Sequence, residues 1–162
     1  MNLIVSVDKN WGIGKNGKLL FSLSQDMEFF KDTTMNKVVV MGRKTLDSLP
    51  GGRPLENRVN IVLTNDKSFE REGVCVCHSV DELMDFVKKY DSNEVFVIGG
   101  GEIYKLLLPY CDTAYITKIQ AEKSADTFMV NLDKQGGWIE ECSSKDFTHE
   151  DVLYRFFVYK RV

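Results

Sequence analysis

The segment Glu94-Val95-Phe96-Val97-Ile98-Gly99-Gly100-Gly101-Glu102-Ile103-Tyr104 constrains the fold more than any other. Its β-branched and aromatic run reads as a buried strand that ends in three glycines, with a helix beginning at once and Pro109 ending it. Only residues without a Cβ let a backbone turn that sharply and lie flat against a ligand. The helix start offers free N–H groups and a partial positive charge, which suits a phosphate. The same turn also serves as a tight connection with nothing bound.

At 162 residues the chain is expected to form one domain, residues 1–162, around one core. Hydrophobic residues make up 43% and charged residues 28%, ordinary for a globular protein. A net charge of -3 gives no general attraction to nucleic acid or an anionic membrane, so local groups must hold any anionic ligand. The first eight residues, Met1 to Asp8, are too short in their apolar part for a signal peptide, and no apolar run reaches membrane-spanning length. The expectation is a cytoplasmic monomer. Cys75, Cys77, Cys111 and Cys142, with His78 and His149, match no metal-site spacing and read as reduced structural thiols.

Strand-like runs occupy Leu3–Val7, Val38–Met41, Val59–Leu63, Val74–Cys77, Glu94–Ile98, Thr113–Ile119, Trp138–Cys142 and Val152–Tyr159. Several are continuous and β-branched, as in a sheet covered on both faces. Helical segments interleave at Ser24–Thr34, Arg43–Ser48, Val80–Tyr90 and Gly101–Leu108, with Ser79 and Glu82 as a capping box for the third. Alternation early and strands in succession late predict an α/β sheet with antiparallel strands at one edge.

Gly12-Ile13-Gly14-Lys15-Asn16-Gly17 spells a dinucleotide fingerprint, but no helix follows directly, as that motif requires. It reads better as a mobile glycine-hinged loop over a pocket. Gly42-Arg43-Lys44-Thr45 puts two cations and a hydroxyl at a helix start just past a strand, a second phosphate cradle. In open α/β sheets ligands sit at that edge, and one long ligand such as NADP would use both cradles. Asp26, in the first turn of a helix capped by Ser24, shares a face with Phe29 and Phe30, while Met27 and Phe30 form a second apolar pair. Burial would raise its pKa and the helix start would lower it. Such a carboxylate can accept two hydrogen bonds from an amino-pyrimidine edge. Arg58, opening a strand, can fork onto a carboxylate.

In this order and spacing these pieces resemble the dihydrofolate reductase family nearly end to end. The carriers include Ile4-Val5-Ser6-Val7, Gly12-Ile13-Gly14, Asp26 with Phe29-Phe30-Lys31, Val40 to Thr45, Gly52-Arg53-Pro54-Leu55, Asn57-Arg58, Ile98 to Gly101 with Ile103-Tyr104, Thr117, and Ala125-Asp126-Thr127. The resemblance implies a mixed, mainly parallel eight-stranded sheet with four helices, a single domain, and NADPH-dependent reduction of 7,8-dihydrofolate in one-carbon metabolism. It implies that Asp26 holds the pterin's amino group and ring N–H, supported by Thr117, with Phe21 as the third residue of the catalytic set. Ile4, Val5, Phe30, Leu49, Leu55 and Ile98 fall at positions lining the substrate, and Arg58 at the clamp on its glutamate α-carboxylate. For the cofactor, Gly42, Arg43, Lys44, Thr45, Leu63, Thr64 and Asn65 fall on the 2′-phosphate side. Gly99, Gly100, Gly101, Glu102 and Ile103 fall at the pyrophosphate turn, with a cis Gly99-Gly100 bond. Ser6, Ile13, Gly14, Ile98 and Tyr104 complete the cofactor positions.

The resemblance also implies that Asp26 polarises the ring while water delivers a proton to N5. The loop from Gly12 to Leu20 would close over the site, pinned by Asp126. The chain departs from the family where Leu20-Phe21 replaces a usual Pro-Trp, so the donor that anchors a water is missing. Ser24 stands at a common proline position, and Glu102 replaces a cation. Two other readings stay open: a related reductase acting on a ribosylamino-pyrimidine, and a non-catalytic nucleotide-binding module.

Overall fold

The computed structural model describes Met1–Val162. Its strands are β1 (Asn2–Val7), β2 (Gly12–Lys15), β3 (Lys18–Leu19), β4 (Val38–Gly42), β5 (Val59–Leu63), β6 (Val74–Cys77), β7 (Val95–Gly99), β8 (Thr113–Ile119), β9 (Thr127–Phe128), β10 (Trp138–Ser143), β11 (Phe147–His149) and β12 (Val152–Arg161). The helices are α1 (Ser24–Thr34), α2 (Arg43–Ser48), α3 (Val80–Val87) and α4 (Gly101–Leu107). The main sheet runs β10-β12-β8-β1-β7-β4-β5-β6, with short β11 added on β12. β8, β1, β7, β4, β5 and β6 pair in parallel, and β12 joins β8 antiparallel.

The continuous apolar runs are explained by cover on both faces. Successive residues of β4 enter opposite cores: Val38 and Val40 pack with Ile61, Leu63, Val95 and Val97, while Val39 and Met41 pack with Leu46 and Val62. Leu83 and Val87 of α3 and Tyr104 and Leu107 of α4 join the first cluster, and Leu46 of α2 joins the second. Phe96 points away from its neighbours Val95 and Val97 and meets Tyr115, on which Phe29 of α1 also packs. Thus α1 and α2 cover one face, and α3 and α4 the other.

Several expectations are corrected. Leu23, not Ser24, is the N-cap of α1 and no side chain caps it. Ser79 does cap α3 by accepting from the Glu82 N–H (3.1 Å), but the Glu82 carboxylate reaches the N–H of His78 instead of Ser79. α3 stops at Val87, and Leu108–Tyr110 and Ser92–Glu94 are single 3-10 turns. The region read as a loop is a hairpin of β2 and β3, and β2 pairs on its other side with β9 in a separate three-stranded sheet. Its turn, Asn16-Gly17, has φ of 52° and 76°, the left-handed pair that a two-residue hairpin turn demands. The peptide bond between Gly99 and Gly100 is cis.

Candidate active site at the carboxyl edge of the parallel sheet

Asp26 is gripped from two strands. In the β1–β8 register Ser6 lies opposite Thr117, so their hydroxyls project side by side on one face. The Thr117 hydroxyl donates to Oδ1 of Asp26 (2.7 Å), and the Ser6 hydroxyl donates to Oδ2. Burial nonetheless pushes the carboxyl above its ordinary value, with the two hydroxyl bonds opposing that rise. The buried Tyr104 hydroxyl donates to the Ile4 carbonyl (2.8 Å), bridging α4 to β1 beside this cluster. Burial also pushes the Tyr104 phenol up, so it stays a donor.

Apolar side chains and a cation lie on the sheet face that α1 and α2 cover. Leu49, Leu55 and Ile98 pack half-buried on the cluster of Val39, Met41, Leu46, Val62 and Phe69. Arg58 sits at the other end of α1, where its Nη1 donates to the Thr34 hydroxyl (3.1 Å) and its Nε to the Glu56 carbonyl (2.9 Å). Its remaining N–H groups have no protein acceptor, and burial draws its pKa below the ordinary value. Asp26 and Thr34 are eight positions apart on α1, roughly 12 Å at the helical rise. Phe30 lies half-buried on the helix between them. The site therefore suits an elongated ligand with a donor-rich flat head and an anionic tail.

The two glycine turns adjoin. β4 and β7 are neighbours, and their carboxyl ends carry Gly42 and Gly99. A Cβ on Gly42 would lie 2.9 Å from Cγ1 of Ile103, and one on Gly100 would lie 3.4 Å from the Thr45 hydroxyl. Gly99 adopts φ of 120°, and a Cβ there would press on the Tyr104 ring at 3.2 Å. The cation pair is less free than its sequence implies. Arg43 meets Asp66 (2.9 Å) and Asp47 (3.9 Å) and lies over the Phe69 ring, leaving Lys44 without an ion pair. Thr64 and Asn65 follow β5 on the same edge, half-buried and exposed, after buried Leu63, and Glu102 is exposed on the first turn of α4.

The hairpin stands over this edge. Ser6, Ile13, Leu19, Leu20, Phe21 and Ile119 line a narrow cleft of about 10 Å³ between it and the sheet. Phe21 is an apolar wall of that cleft, and its ring carries the Lys123 ammonium 4.3 Å from its centroid. Buried Ile4 and Val5 come from β1 and buried Ile13 from β2, with Gly14 half-buried beside it. The expected glycine-hinged mobility meets restraint at both ends. Asp126 accepts from the Asn16 N–H (2.9 Å) and the Thr127 hydroxyl (2.9 Å), bonds that hold its carboxyl below the usual range. Buried Asp8 accepts from the N–H groups of Gly12 (2.8 Å), Asn10 (2.9 Å) and Lys123 (3.2 Å). Sequence reasoning missed Asp8 as an anchor, although an aspartate just past a strand readily accepts from the N–H two residues on, here that of Asn10. Ser6, expected among the cofactor positions, donates its hydroxyl to the Asp26 carboxylate. Met27, expected to pair with Phe30, is 58% exposed and accepts a weak bond from Ser22 (3.5 Å).

The family model for dihydrofolate reductase matches residues 1–161. A dihydrofolate reductase of Staphylococcus haemolyticus is 36% identical, with 100% of this chain and 96% of that protein covered. One of Haemophilus influenzae is 42% identical over 86% of this chain and 84% of its own length. Among solved structures, dihydrofolate reductase from Enterococcus faecalis complexed with NADP(H) and RAB-propyl superposes with a TM-score of 0.88 at 36% identity, covering 99% of this chain and 95% of that one. A carboxylate braced by hydroxyls, an arginine at the far end of its helix and paired glycine turns thus coincide with end-to-end similarity: this chain belongs to the dihydrofolate reductase family.

Proposed function

We propose that this protein reduces 7,8-dihydrofolate to 5,6,7,8-tetrahydrofolate with NADPH, in one-carbon metabolism. The observation that carries the proposal is Asp26 between the hydroxyls of Ser6 and Thr117, with Arg58 at the other end of α1. A carboxylate has about four lone-pair sites, and the two hydroxyls use two of them. The remaining two accept from the pterin's amino group and ring N–H. Ile4, Val5, Phe30, Leu49, Leu55 and Ile98 wall the pterin and aminobenzoate, and the free N–H groups of Arg58 take the glutamate α-carboxylate.

The residues also fit the cofactor, because the two adjoining glycine turns answer a ligand with phosphates at two points. Gly99, Gly100, Gly101, Glu102 and Ile103 would hold the pyrophosphate. Gly42, Arg43, Lys44, Thr45, Leu63, Thr64 and Asn65 would hold the 2′-phosphate end, and Ile13, Gly14, Ile98 and Tyr104 the nicotinamide end. The exposed carboxylates on Arg43 bind it only weakly, so a phosphate can replace them. When bound, NADPH supplies the hydride. Asp26 polarises the pterin ring through its two hydrogen bonds to it, while N5 takes a proton from water. The β2–β3 hairpin, with Phe21 on its inner cleft, keeps bulk water from the reacting edge.

A cytoplasmic monomer with these two small-molecule partners belongs to the same proposal; a net charge of -3 gives no general attraction to nucleic acid or an anionic membrane, and no helix is long and apolar enough to cross a membrane. A spectrophotometric assay with NADPH and dihydrofolate tests the proposal. Loss of NADPH absorbance that depends on dihydrofolate is expected; its absence with both ligands present would overturn the assignment.

A further inference from the structure

We propose that Ser6 is a positioning residue of the substrate site, whose hydroxyl fixes the Asp26 carboxylate from the β1 side as Thr117 fixes it from the β8 side. The inference rests on the functional reading above and on three observations. Ser6 and Thr117 are register partners on adjacent parallel strands, so their spacing is set by the sheet itself. Each donates to a different oxygen of the same carboxylate. No other protein donor reaches that carboxylate, and Phe21, which lines the cleft beside Ser6, has no polar atom to offer. With one hydroxyl on each oxygen, the carboxylate plane is held against rotation, and each oxygen keeps a lone pair for the pterin's paired donors. A single hydroxyl would leave the group free to swing about the other bond.

The surroundings make the contact legible in a titration. The groups facing Asp26 from the packed elements are the neutral phenols Tyr104 from α4 and Tyr154 from β12, and neither lysine, arginine nor histidine acts on its proton affinity. The two hydroxyls are therefore the side chains that favour the ionised form against burial, beside the start of α1, which no Ser6 substitution changes. Removing one must raise the proton affinity of Asp26 further.

The test compares wild type, Ser6→Ala and Ser6→Thr with NADP+ bound. The Asp26 carboxyl carbon is followed by ¹³C NMR against pH, with Asp26→Asn for assignment, beside NADPH affinity and the pH profile of dihydrofolate reduction. In Ser6→Ala the carboxyl is expected to titrate roughly one pH unit higher, about a tenfold gain in proton affinity for one lost bond to a charged group. The pH profile should move the same way, NADPH affinity should hold, and Ser6→Thr should restore the wild-type titration. Should Ser6→Ala fail to fold, Ser6→Cys, a weaker donor of similar size, must shift it in the same direction. A Ser6→Ala protein that titrates like wild type, or whose defect is confined to NADPH affinity, overturns the proposal. A wild-type protein that fails to reduce dihydrofolate overturns the functional reading alone, because the carboxyl titration does not depend on turnover.

Discussion

Replacing Asp26 by asparagine should make the ligand-free protein more stable at neutral pH while removing most of its turnover. Burial raises the carboxyl above 3.8, so folding at pH 7 must hold a charge in a site that disfavours it. The sign follows from linkage. A carboxyl with a raised folded pKa contributes stability below its unfolded value, and that contribution is lost as pH rises through the folded value. Asparagine carries no charge to bury, and its geometry keeps both contacts: its Oδ1 accepts from Thr117 and its Nδ2 donates to the Ser6 oxygen, whose hydroxyl rotates freely. The two hydroxyl bonds that weaken on substitution offset part of the relief from burial, so the gain is of the size of an ordinary single substitution, on the order of 1 kcal/mol. For a chain of this length it corresponds to a rise in Tm of roughly 2–4 °C. Urea unfolding of both proteins from about pH 3 to pH 8 measures it. The advantage of Asp26→Asn should be full at neutral pH and vanish below 3.8, where both side chains are neutral. A variant less stable than wild type at neutral pH, or a difference independent of pH, would refute burial as the dominant influence on this group.

Other expectations follow from the same geometry. Arg58→Leu should weaken folate binding by roughly 2–5 kcal/mol, the worth of a desolvated charge pair, without changing NADPH affinity; equal folate affinity by fluorescence titration would point to another substrate. Thr117→Val leaves Oδ1 of Asp26 without its donor, so the pH profile of reduction should move up and turnover at alkaline pH should persist; an unmoved profile would remove Thr117 from the site. Gly101→Ala places a Cβ 2.5 Å from Cγ2 of Thr127, which must shift β9 or α4. It should cost about 1–3 kcal/mol in chemical denaturation and weaken NADPH binding; a neutral outcome would mean that the hairpin sheet yields freely.

The elements legible in the sequence are those whose signal is local. Val38 to Met41 reads as a strand because every residue is apolar, and the structure buries all four by sending alternate side chains into opposite cores. Ser79 announces the start of α3 because a cap is a contact across three residues. Asp26 stands out as a carboxylate among aromatic rings on one helical face. The outlying strands β2, β3, β9 and β11 run two to four residues and are too short for any periodicity to emerge. Only the Asn16-Gly17 pair hinted at the hairpin. What folding decided were contacts between residues far apart in the chain. Ser6 and Thr117 reach the same carboxylate because β1 lies in register with β8, more than a hundred residues away in the chain. Arg43 is tied to Asp66 by the approach of the segment after β5. The two glycine turns become one continuous edge because β4 and β7 are neighbours in the sheet. Side-chain identity and spacing thus carry the chemistry, whereas the pairing of strands determines which groups share an atom-to-atom contact.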